Sequence, residues 1–467
     1  MTDRDGDFEA VVAGVGERID PDERERERMR EAVGALTERA DAAIADLPVD
    51  ADVRQVGSTA RGTWIAGDRD IDLFVRFPSD LDRERLEEYG LAAGHAVLPD
   101  GREEFAEHPY VTGEYDGFDV DLVPCYRLDS ATDIQSAVDR TPFHNDYVAE
   151  RLRSESASDS DVDSSPDAGL AGEVRLFKQF LKGIGAYGSD LRTRGFSGYL
   201  TELLVLEHGG FRETVEAAAD WHPPVRFDPE DHGRAEFDDP LVVIDPTDPE
   251  RNVAAVCSPE KVATLQHYAR ELLEAPREDL FFPEPTDPLS ADGVRDHVRT
   301  RGTTPVAVRF DAPDIVEDQL YPQLRKSLSG IRDALDRRGF DVLRAAAFAD
   351  DSAVVLAELE VAERPAVERH EGPPVHVRQH AAGFYGKYAD SDDYGPFIDG
   401  ERYVVERDRE FESAVDFLES EAIFDAALGV RVERALEDGY EVLVGDEVGE
   451  LAGEFGVELA EYFDPKP

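Results

Sequence analysis

Apolar and polar positions alternate in four short runs in the first third of the chain. The runs span residues 53–56, 70–77, 110–115 and 118–123, and turn-forming residues follow each of them. Alternation of this kind is typical of half-buried strands, because successive side chains point to opposite faces of a sheet. Residues 8–46 instead repeat their apolar positions with a helical period. We therefore predict helices followed by one mixed sheet.

The middle of the chain is predicted to be helical. Thr141 and Pro142 are typical of a helix start, with Thr as N-cap and Pro at the first helical position. Residues 154–172 are rich in Ser, Asp, Ala and Gly without apolar periodicity, which predicts a flexible loop. The helical period then returns over residues 173–184. Its predicted buried stripe consists of Val174, Phe177, Leu181 and Ile184.

The last third has a different organisation. A proline-rich segment at 276–288 marks a boundary. The pattern beyond it predicts a strand at 306–310, a helix at 321–338 and a hairpin at 342–348 and 353–360. This order is α+β and compatible with an RNA-recognition-like body. Residues 365–409 interleave basic and aromatic side chains, which suits stacking on RNA. Internal packing of the same aromatic side chains is the alternative.

The composition indicates folded domains adapted to high salt. The 467 residues carry a net charge of -55 and almost no lysine, yet 41% of them are hydrophobic. This length suggests three or four domains. At molar salt the Debye length is roughly 3 Å, so self-repulsion is screened. A polyanionic chain binds nucleic acid poorly through its net charge, so any such binding must depend on local Arg and Lys contacts.

The cysteine count and the hydropathy of the sequence indicate the cellular compartment of the protein. Cys125 and Cys257 are too few for a disulfide scaffold or a zinc site. The sequence shows no signal peptide and no apolar run long enough to span a bilayer. A cytoplasmic location is therefore expected.

Two pairs of acids stand on the predicted strands. Asp70 and Asp72 share one face while Ile71 points to the core, and Asp119 and Asp121 repeat the pattern. Two carboxylates on one face repel each other, and a divalent cation with oxygen ligands is the common compensation. In a chain this acidic, a solvated surface pair is the alternative.

Two segments offer groups that bind phosphate. The turn at Gly57 and Ser58 supplies backbone N–H groups and a hydroxyl, and Arg61 adds a guanidinium. Lys178 and Lys182 stand out where lysine is scarce, and a compact ammonium suits a triphosphate. Surface lysines without a ligand are the alternative. Together with the acids, these groups predict a two-metal nucleotidyl-transfer site.

The order of the motifs resembles a known family. Gly57-Ser58 followed by Asp70 and Asp72 is similar to the pattern of the DNA polymerase β-like nucleotidyltransferase superfamily. Seven downstream blocks resemble the archaeal (class I) CCA-adding enzyme family and follow its order. They are HPYV at 108–111, DLVPCY at 121–126, SAVDRTPFH at 136–144, RGFSGYL at 194–200, DP at 245–246, RNVA at 251–254 and DIVEDQLYP at 314–322.

The resemblance implies an α+β multidomain fold with four parts. They are a polymerase β-like nucleotidyltransferase head, a helical neck, an RRM-like α+β body and a small tail. The expected boundaries are 1–150 for the catalytic head, 151–172 for a flexible acidic insertion, 173–280 for a nucleotide-binding neck, 281–365 for an RNA-binding body, 366–410 for a tail that contacts the tRNA elbow, and 411–467 for the C-terminal part of the body.

The resemblance also implies residue roles. Asp70, Asp72 and Asp121 are the expected catalytic ligands of Mg²⁺, and Asp121 is preferred to Asp119 because the DLVPC block begins there. Asp70 departs from the family, which often has Glu at this position. The residues expected to bind ATP or CTP are Ser58, Arg61, His144, Lys178, Tyr187 and Arg251. For His144 the alternative is a capping or surface histidine, and for Arg251 it is an ordinary salt bridge.

The reaction implied is stepwise addition of C, C and A to a tRNA 3′ end from CTP and ATP, with release of pyrophosphate. The implied function includes repair of the CCA end. The resemblance also implies that the protein contacts the acceptor stem and TΨC arm of tRNA and forms a homodimer. Two alternatives remain open. One is another template-independent RNA nucleotidyltransferase, such as a poly(A) polymerase, and the other is a non-catalytic tRNA-binding protein.

Overall fold

A computed structural model describes residues 3–156, 169–233 and 235–467 of the chain. The fold is mixed α+β, as predicted, and divides into two compact units, Met1–Glu284 and Pro285–Pro467. Across the described ranges, every helix is too short or too polar to cross a membrane.

The first unit contains a five-stranded mixed sheet. Its strands are β1 (Asp52–Val56), β2 (Asp70–Pro78), β3 (Arg102–Phe105), β4 (Pro109–Tyr115) and β5 (Phe118–Arg127). They lie in the order β1-β2-β5-β4-β3, with β2 and β5 parallel and the other neighbours antiparallel. The four strands predicted from alternation are confirmed. The pattern does not indicate β3, because three of its four residues are charged.

Four helices accompany this sheet. They are α1 (Asp3–Ile19), α2 (Glu23–Ala45), α3 (Gly57–Arg61) and α4 (Arg83–Val97). Ile71, Leu73 and Val75 of β2 are at most 1% exposed and share one core with Leu36 of α2 and Leu86 of α4. The alternation along β2 therefore buries one row of side chains and leaves the acidic row on the other face.

The remainder of the first unit is largely helical. Its helices are α5 (Thr141–Ser156), α6 (Leu170–Gly183), α7 (Gly198–His208), α8 (Phe211–Ala219) and α9 (Pro259–Glu274), and its strands are β6 (Val225–Phe227), β7 (Leu241–Asp245) and β8 (Asp248–Asn252). The predicted buried stripe of α6 is confirmed.

The structure corrects two expectations for this region. Thr141 already has helical backbone angles and is therefore not an N-cap, because a 3₁₀ turn, Ala137–Arg140, precedes α5. At the start of that turn Ser136 donates its backbone N–H to Oδ2 of Asp139 at 2.7 Å. Of the expected flexible insertion, residues 151–156 belong to α5 and residues 170–172 to α6. Residues 157–168 lie outside the described residues.

The second unit contains two sheets. Its helices are α10 (Ala291–Arg301), α11 (Glu317–Arg337), α12 (Arg378–Tyr388), α13 (Ala414–Leu418), α14 (Val430–Asp438) and α15 (Ala452–Phe463). Its strands are β9 (Thr304–Asp311), β10 (Val342–Ala349), β11 (Ser352–Leu359), β12 (Val367–Pro374), β13 (Tyr394–Asp399), β14 (Arg402–Asp408) and β15 (Tyr440–Val444). The antiparallel orders are β10-β11-β9-β15 and β12-β14-β13. The predicted strand, helix and hairpin after residue 304 are confirmed.

The aromatic residues of α12 divide between packing and exposure. Phe384 and Tyr388 lie with their ring centroids 4.8 Å apart, and both contact His370 of β12. Tyr385 is 49% exposed, and Tyr394 of β13 is 64% exposed. The internal-packing alternative therefore holds for Phe384 and Tyr388 and leaves Tyr385 and Tyr394 on the surface.

Candidate active site

The two acidic strands are paired directly. β2 and β5 run parallel in a register that places Asp70 opposite Asp119 and Asp72 opposite Asp121. Ile71, which lies between Asp70 and Asp72 on β2, points to the opposite face of the sheet and is 1% exposed. The four carboxylates consequently occupy one face of the sheet and line one cleft. The sequence pattern predicted the shared face of each pair, and the structure brings the two pairs together.

The carboxylates of this cleft repel one another. Burial, followed by the charges of Asp121 and Asp70, raises the pKa of Asp72 to about 6, while Arg61 opposes the rise. Burial and the charges of Asp68 and Asp119 raise the pKa of Asp70, and Lys178 partly offsets them. The raised pKa values of Asp70 and Asp72 indicate that negative charge in this cleft is incompletely compensated by the protein.

The donor chemistry of the cleft fits a hard divalent cation. Its side chains offer carboxylate oxygens, which Mg²⁺ prefers, and a cation would relieve the repulsion at Asp72. Within residues 3–156, 169–233 and 235–467, no three His, Cys, Asp or Glu side chains already converge as a ready metal site. The strands fix the backbones of Asp70, Asp72 and Asp121, so coordination would require rotation of their side chains.

Gly57 lets the chain pass beside this cleft. Its φ is +80°, a conformation that favours glycine, and a Cβ there would lie 2.0 Å from Oδ2 of Asp72. The expected phosphate turn is the short helix α3, with Ser58 in its first turn. The backbone at Gly57 and the carboxylate of Asp72 are therefore in direct contact.

We expect Gly57→Ala to lower both stability and activity. The new Cβ must displace the Asp72 carboxylate, and the positive φ adds strain of roughly 1–3 kcal/mol. Gly62→Ala is the matched control, because its φ is +74° but a Cβ would meet nothing within 4 Å. Urea unfolding and nucleotide addition would be measured for both. Equal activity of the two variants would contradict the proposed role of Asp72.

Arg61 is held by a buried carboxylate. Its Nε donates to Oε1 of Glu202 at 2.9 Å, and one Nη donates to Oδ1 of Asn145 at 3.1 Å. Thr63 donates its hydroxyl to the same Glu202 oxygen at 2.6 Å. The Arg61 side chain is 9% exposed. Its position beside the acidic cleft is therefore fixed, and its charge acts on Asp72.

The lysines of α6 meet an acid that the sequence pattern did not single out. Lys178 donates to Oδ2 of Asp68 at 2.6 Å, and Lys182 donates to Oδ1 at 3.2 Å. Both ammonium groups lie 5.6 Å from the ring centroid of Tyr187. Lys178 is 7% exposed, so the surface-lysine alternative is wrong for it. Arg175, which also lies off the predicted buried stripe, is likewise buried.

His144 and Arg251 share one carboxylate. Nε2 of His144 and Nη1 of Arg251 each lie 2.8 Å from Oδ2 of Asp245, which is fully buried. Tyr199 stacks on the His144 ring at 4.0 Å, and Thr247 donates its N–H and hydroxyl to Asp245. Burial alone would raise the pKa of Asp245, but His144 and Thr247 hold it below its usual range.

The structure groups several predicted residues around three acids that were not among the predicted site residues, although Asp245 belongs to one of the motif blocks. Asp68 holds the lysines, Glu202 holds Arg61, and Asp245 holds His144 and Arg251. Glu202 had a recognisable signal, because it is an acid in the middle of the apolar helix α7. Asp245 ends the fully buried strand β7. An acid buried in an apolar helix or strand requires a charged or hydrogen-bonding partner. Acids in apolar segments of the sequence could therefore have been identified as candidate site residues.

Segments of the chain match known protein families. Residues 38–144 match the nucleotidyltransferase domain family, and residues 172–282 match the second domain of tRNA nucleotidyltransferases. Residues 301–445 match the C-terminal domain of the CCA-adding enzyme.

Full-length relatives agree with these matches. The chain is 62% identical to the CCA-adding enzyme of Haloarcula marismortui, over 99% of both chains. It is 62% identical to that of Halorubrum lacusprofundi, over 99% of this chain and 100% of the other, and 41% identical to that of Methanosarcina barkeri, over 93% and 94%. The resemblance found in the motif blocks is confirmed: the chain belongs to the archaeal CCA-adding enzyme family.

Proposed function

We propose that this chain adds C, C and A stepwise to the 3′ end of tRNA, using CTP and ATP, and repairs incomplete CCA ends. The observation that supports this most is the register of β2 and β5, which sets Asp72 opposite Asp121 beside cationic side chains. In each step the tRNA 3′ oxygen forms a bond to the α-phosphorus, the bond to pyrophosphate breaks, and the hydroxyl loses its proton.

The carboxylates are assigned to the metal. Asp70, Asp72 and Asp121 would hold Mg²⁺, which when bound supplies Lewis-acid stabilisation of the charge that develops on the phosphoryl oxygens. Asp121 is assigned to activation of the 3′ hydroxyl as a metal ligand, because it lies opposite Asp72 on the neighbouring strand. Asp119 lies opposite Asp70 and is exposed, and we assign it no metal.

The cationic residues are assigned to the nucleotide. Ser58 and Lys178 would bind the triphosphate, with Arg61 beside Asp72 and Tyr187 beside Lys178. Arg251 would help to read the base edge, since its side chain is 35% exposed although one Nη is bound to Asp245. His144, which is held by the same carboxylate, would contact the sugar or a phosphate.

The second unit is assigned to tRNA. Tyr385 and Tyr394 are exposed on the segment 366–410, and Arg378 and Lys387 stand on the same helix as Tyr385. Exposed aromatic and cationic side chains suit stacking and backbone contact with the TΨC arm, even at high salt. The homodimer and the cytoplasmic location stay predictions.

A single-nucleotide product assay tests the function. The substrate is a tRNA transcript lacking its last three nucleotides, with Mg²⁺ and about 1 M KCl, where the Debye length is roughly 3 Å. We expect two additions with CTP alone and three with CTP and ATP together. Long A tails from ATP alone would indicate a poly(A) polymerase. Binding of tRNA without any product would indicate a non-catalytic RNA-binding protein.

A further inference from the structure

Asp68 pairs with two ammonium groups, and one of them, that of Lys178, is assigned to the triphosphate. Its two carboxylate oxygens are divided between them, with Oδ2 2.6 Å from Nζ of Lys178 and Oδ1 3.2 Å from Nζ of Lys182. The Asp68 side chain is 18% exposed and that of Lys178 is 9% exposed. An ion pair this shielded from water is screened little by salt. The contact therefore persists in the concentrated salt that the composition favours.

A tight turn holds this carboxylate in place. Asp68 donates its N–H to the carbonyl of Ile65 at 2.9 Å, and its Oδ2 accepts the Ile65 N–H at 3.3 Å. Gly67, at the third position of the turn, has φ +87°, as a type II turn requires. Ala66 donates its N–H to the carbonyl of Ile19 at 2.7 Å, which ties the turn to α1. Asp68 is thus a fixed group rather than a mobile surface acid.

Asp68 pairs with the lysines and directly precedes the strand that carries Asp70 and Asp72, two of the proposed metal ligands. Asp70, two residues further on, opens β2. A triphosphate that reaches Lys178 from the metal site must meet the carboxylate of Asp68 there. Two anions held by the same ammonium group lie close together and repel each other, so the carboxylate of Asp68 opposes a phosphate oxygen that approaches Lys178.

We propose that Asp68 is an internal competitor of the nucleotide triphosphate, which sets the affinity for CTP and ATP. In the free protein its single negative charge is shared between the ammonium groups of Lys178 and Lys182. A nucleotide with several phosphate charges displaces it. This inference depends on the proposed function, because it takes Lys178 as a triphosphate ligand.

Calorimetric titration of the full chain with CTP tests the proposal. Asp68→Asn keeps the size of the side chain and removes its charge, so we expect CTP to bind about three- to tenfold more tightly. The KM for CTP in tRNA extension should fall by a similar factor. Asp52→Asn is the matched control, since Asp52 pairs with Arg76 and Arg127 at the far end of β2. Its affinity for CTP should equal that of the wild type.

The sign of the change in CTP affinity distinguishes a competing role of Asp68 from a purely structural one. A purely structural role for Asp68 would weaken CTP binding on substitution, because the lysines would lose their orientation. Unchanged or weaker binding by Asp68→Asn would therefore overturn the proposal. Asp68→Ala should show the same tightening and serves if Asp68→Asn does not fold. A wild-type chain that binds no CTP would instead refute the proposed function, and this inference with it.

Discussion

Asp72→Ala is expected to reduce nucleotide addition by at least about a thousandfold while raising stability in metal-free buffer. Loss of the proposed metal ligand would remove several kcal/mol of transition-state stabilisation, and each 1.36 kcal/mol is a factor of ten in rate. The stability rises because burial and two neighbouring acids disfavour the ionised Asp72 carboxylate at neutral pH. Single-turnover addition of C and thermal unfolding in EDTA measure the two effects.

Asp119→Ala is the matched control for this experiment. Asp119 lies on the same face and strand as Asp121 but opposite Asp70, and it is exposed. We expect this variant to keep most of the activity. If both variants were equally inactive, the choice of Asp121 over Asp119 would lose its basis. Activity of Asp72→Ala above a tenth of the wild type would refute the role of Asp72 as a metal ligand.

Asp245→Ala is expected to lower the free energy of unfolding by about 3–5 kcal/mol, the range for removal of one partner of a buried ion pair. Asp245 is fully buried and accepts hydrogen bonds from His144, Arg251 and Thr247. The KM for CTP and ATP should also rise, because two residues assigned to the nucleotide lose their common anchor. Urea unfolding and steady-state kinetics measure the two effects.

The loss of stability in Asp245→Ala relative to the wild type is expected to become smaller as the pH falls. The folded-state pKa of Asp245 lies below its ordinary value of 3.8, so its contribution is complete at neutral pH and is lost as the pH falls below that value. The unfolding curves of wild type and variant should differ at neutral pH and approach each other in acid. Glu250→Ala, an exposed change in the same β7–β8 hairpin, is the control. A destabilisation equal to that of Glu250→Ala would contradict the anchoring role.

Local patterns were sufficient for the strands and for the acids they carry. The alternation around Ile71 places Asp70 and Asp72 on one face, and the same holds for Asp119 and Asp121. The pairing of β2 with β5 does not follow from alternation, because β5 inserts between β2 and β4. That adjacency depends on long-range packing, which the family resemblance implied and the residue pattern did not.

The buried partners of the cationic residues could not be predicted from spacing. Lys178 lies 110 residues from Asp68 along the chain, and Arg61 lies 141 residues from Glu202. A helical period shows which face of α6 is apolar, but it does not show that the face carrying Lys178 is also covered. Which carboxylate meets which cation is decided by how α6 and α7 pack around the sheet. Only the three-dimensional structure therefore reveals that these cations are already paired.

A crystal structure with Mn²⁺ and CTP tests the central claim most directly, because anomalous scattering locates the metal independently of the model of the ligand. The account predicts Mn²⁺ bound by oxygens of Asp70, Asp72 and Asp121, at roughly 2.0–2.5 Å. It also predicts the triphosphate at Lys178. Metal bound elsewhere, or by Asp70 and Asp119 without Asp72 and Asp121, would contradict it.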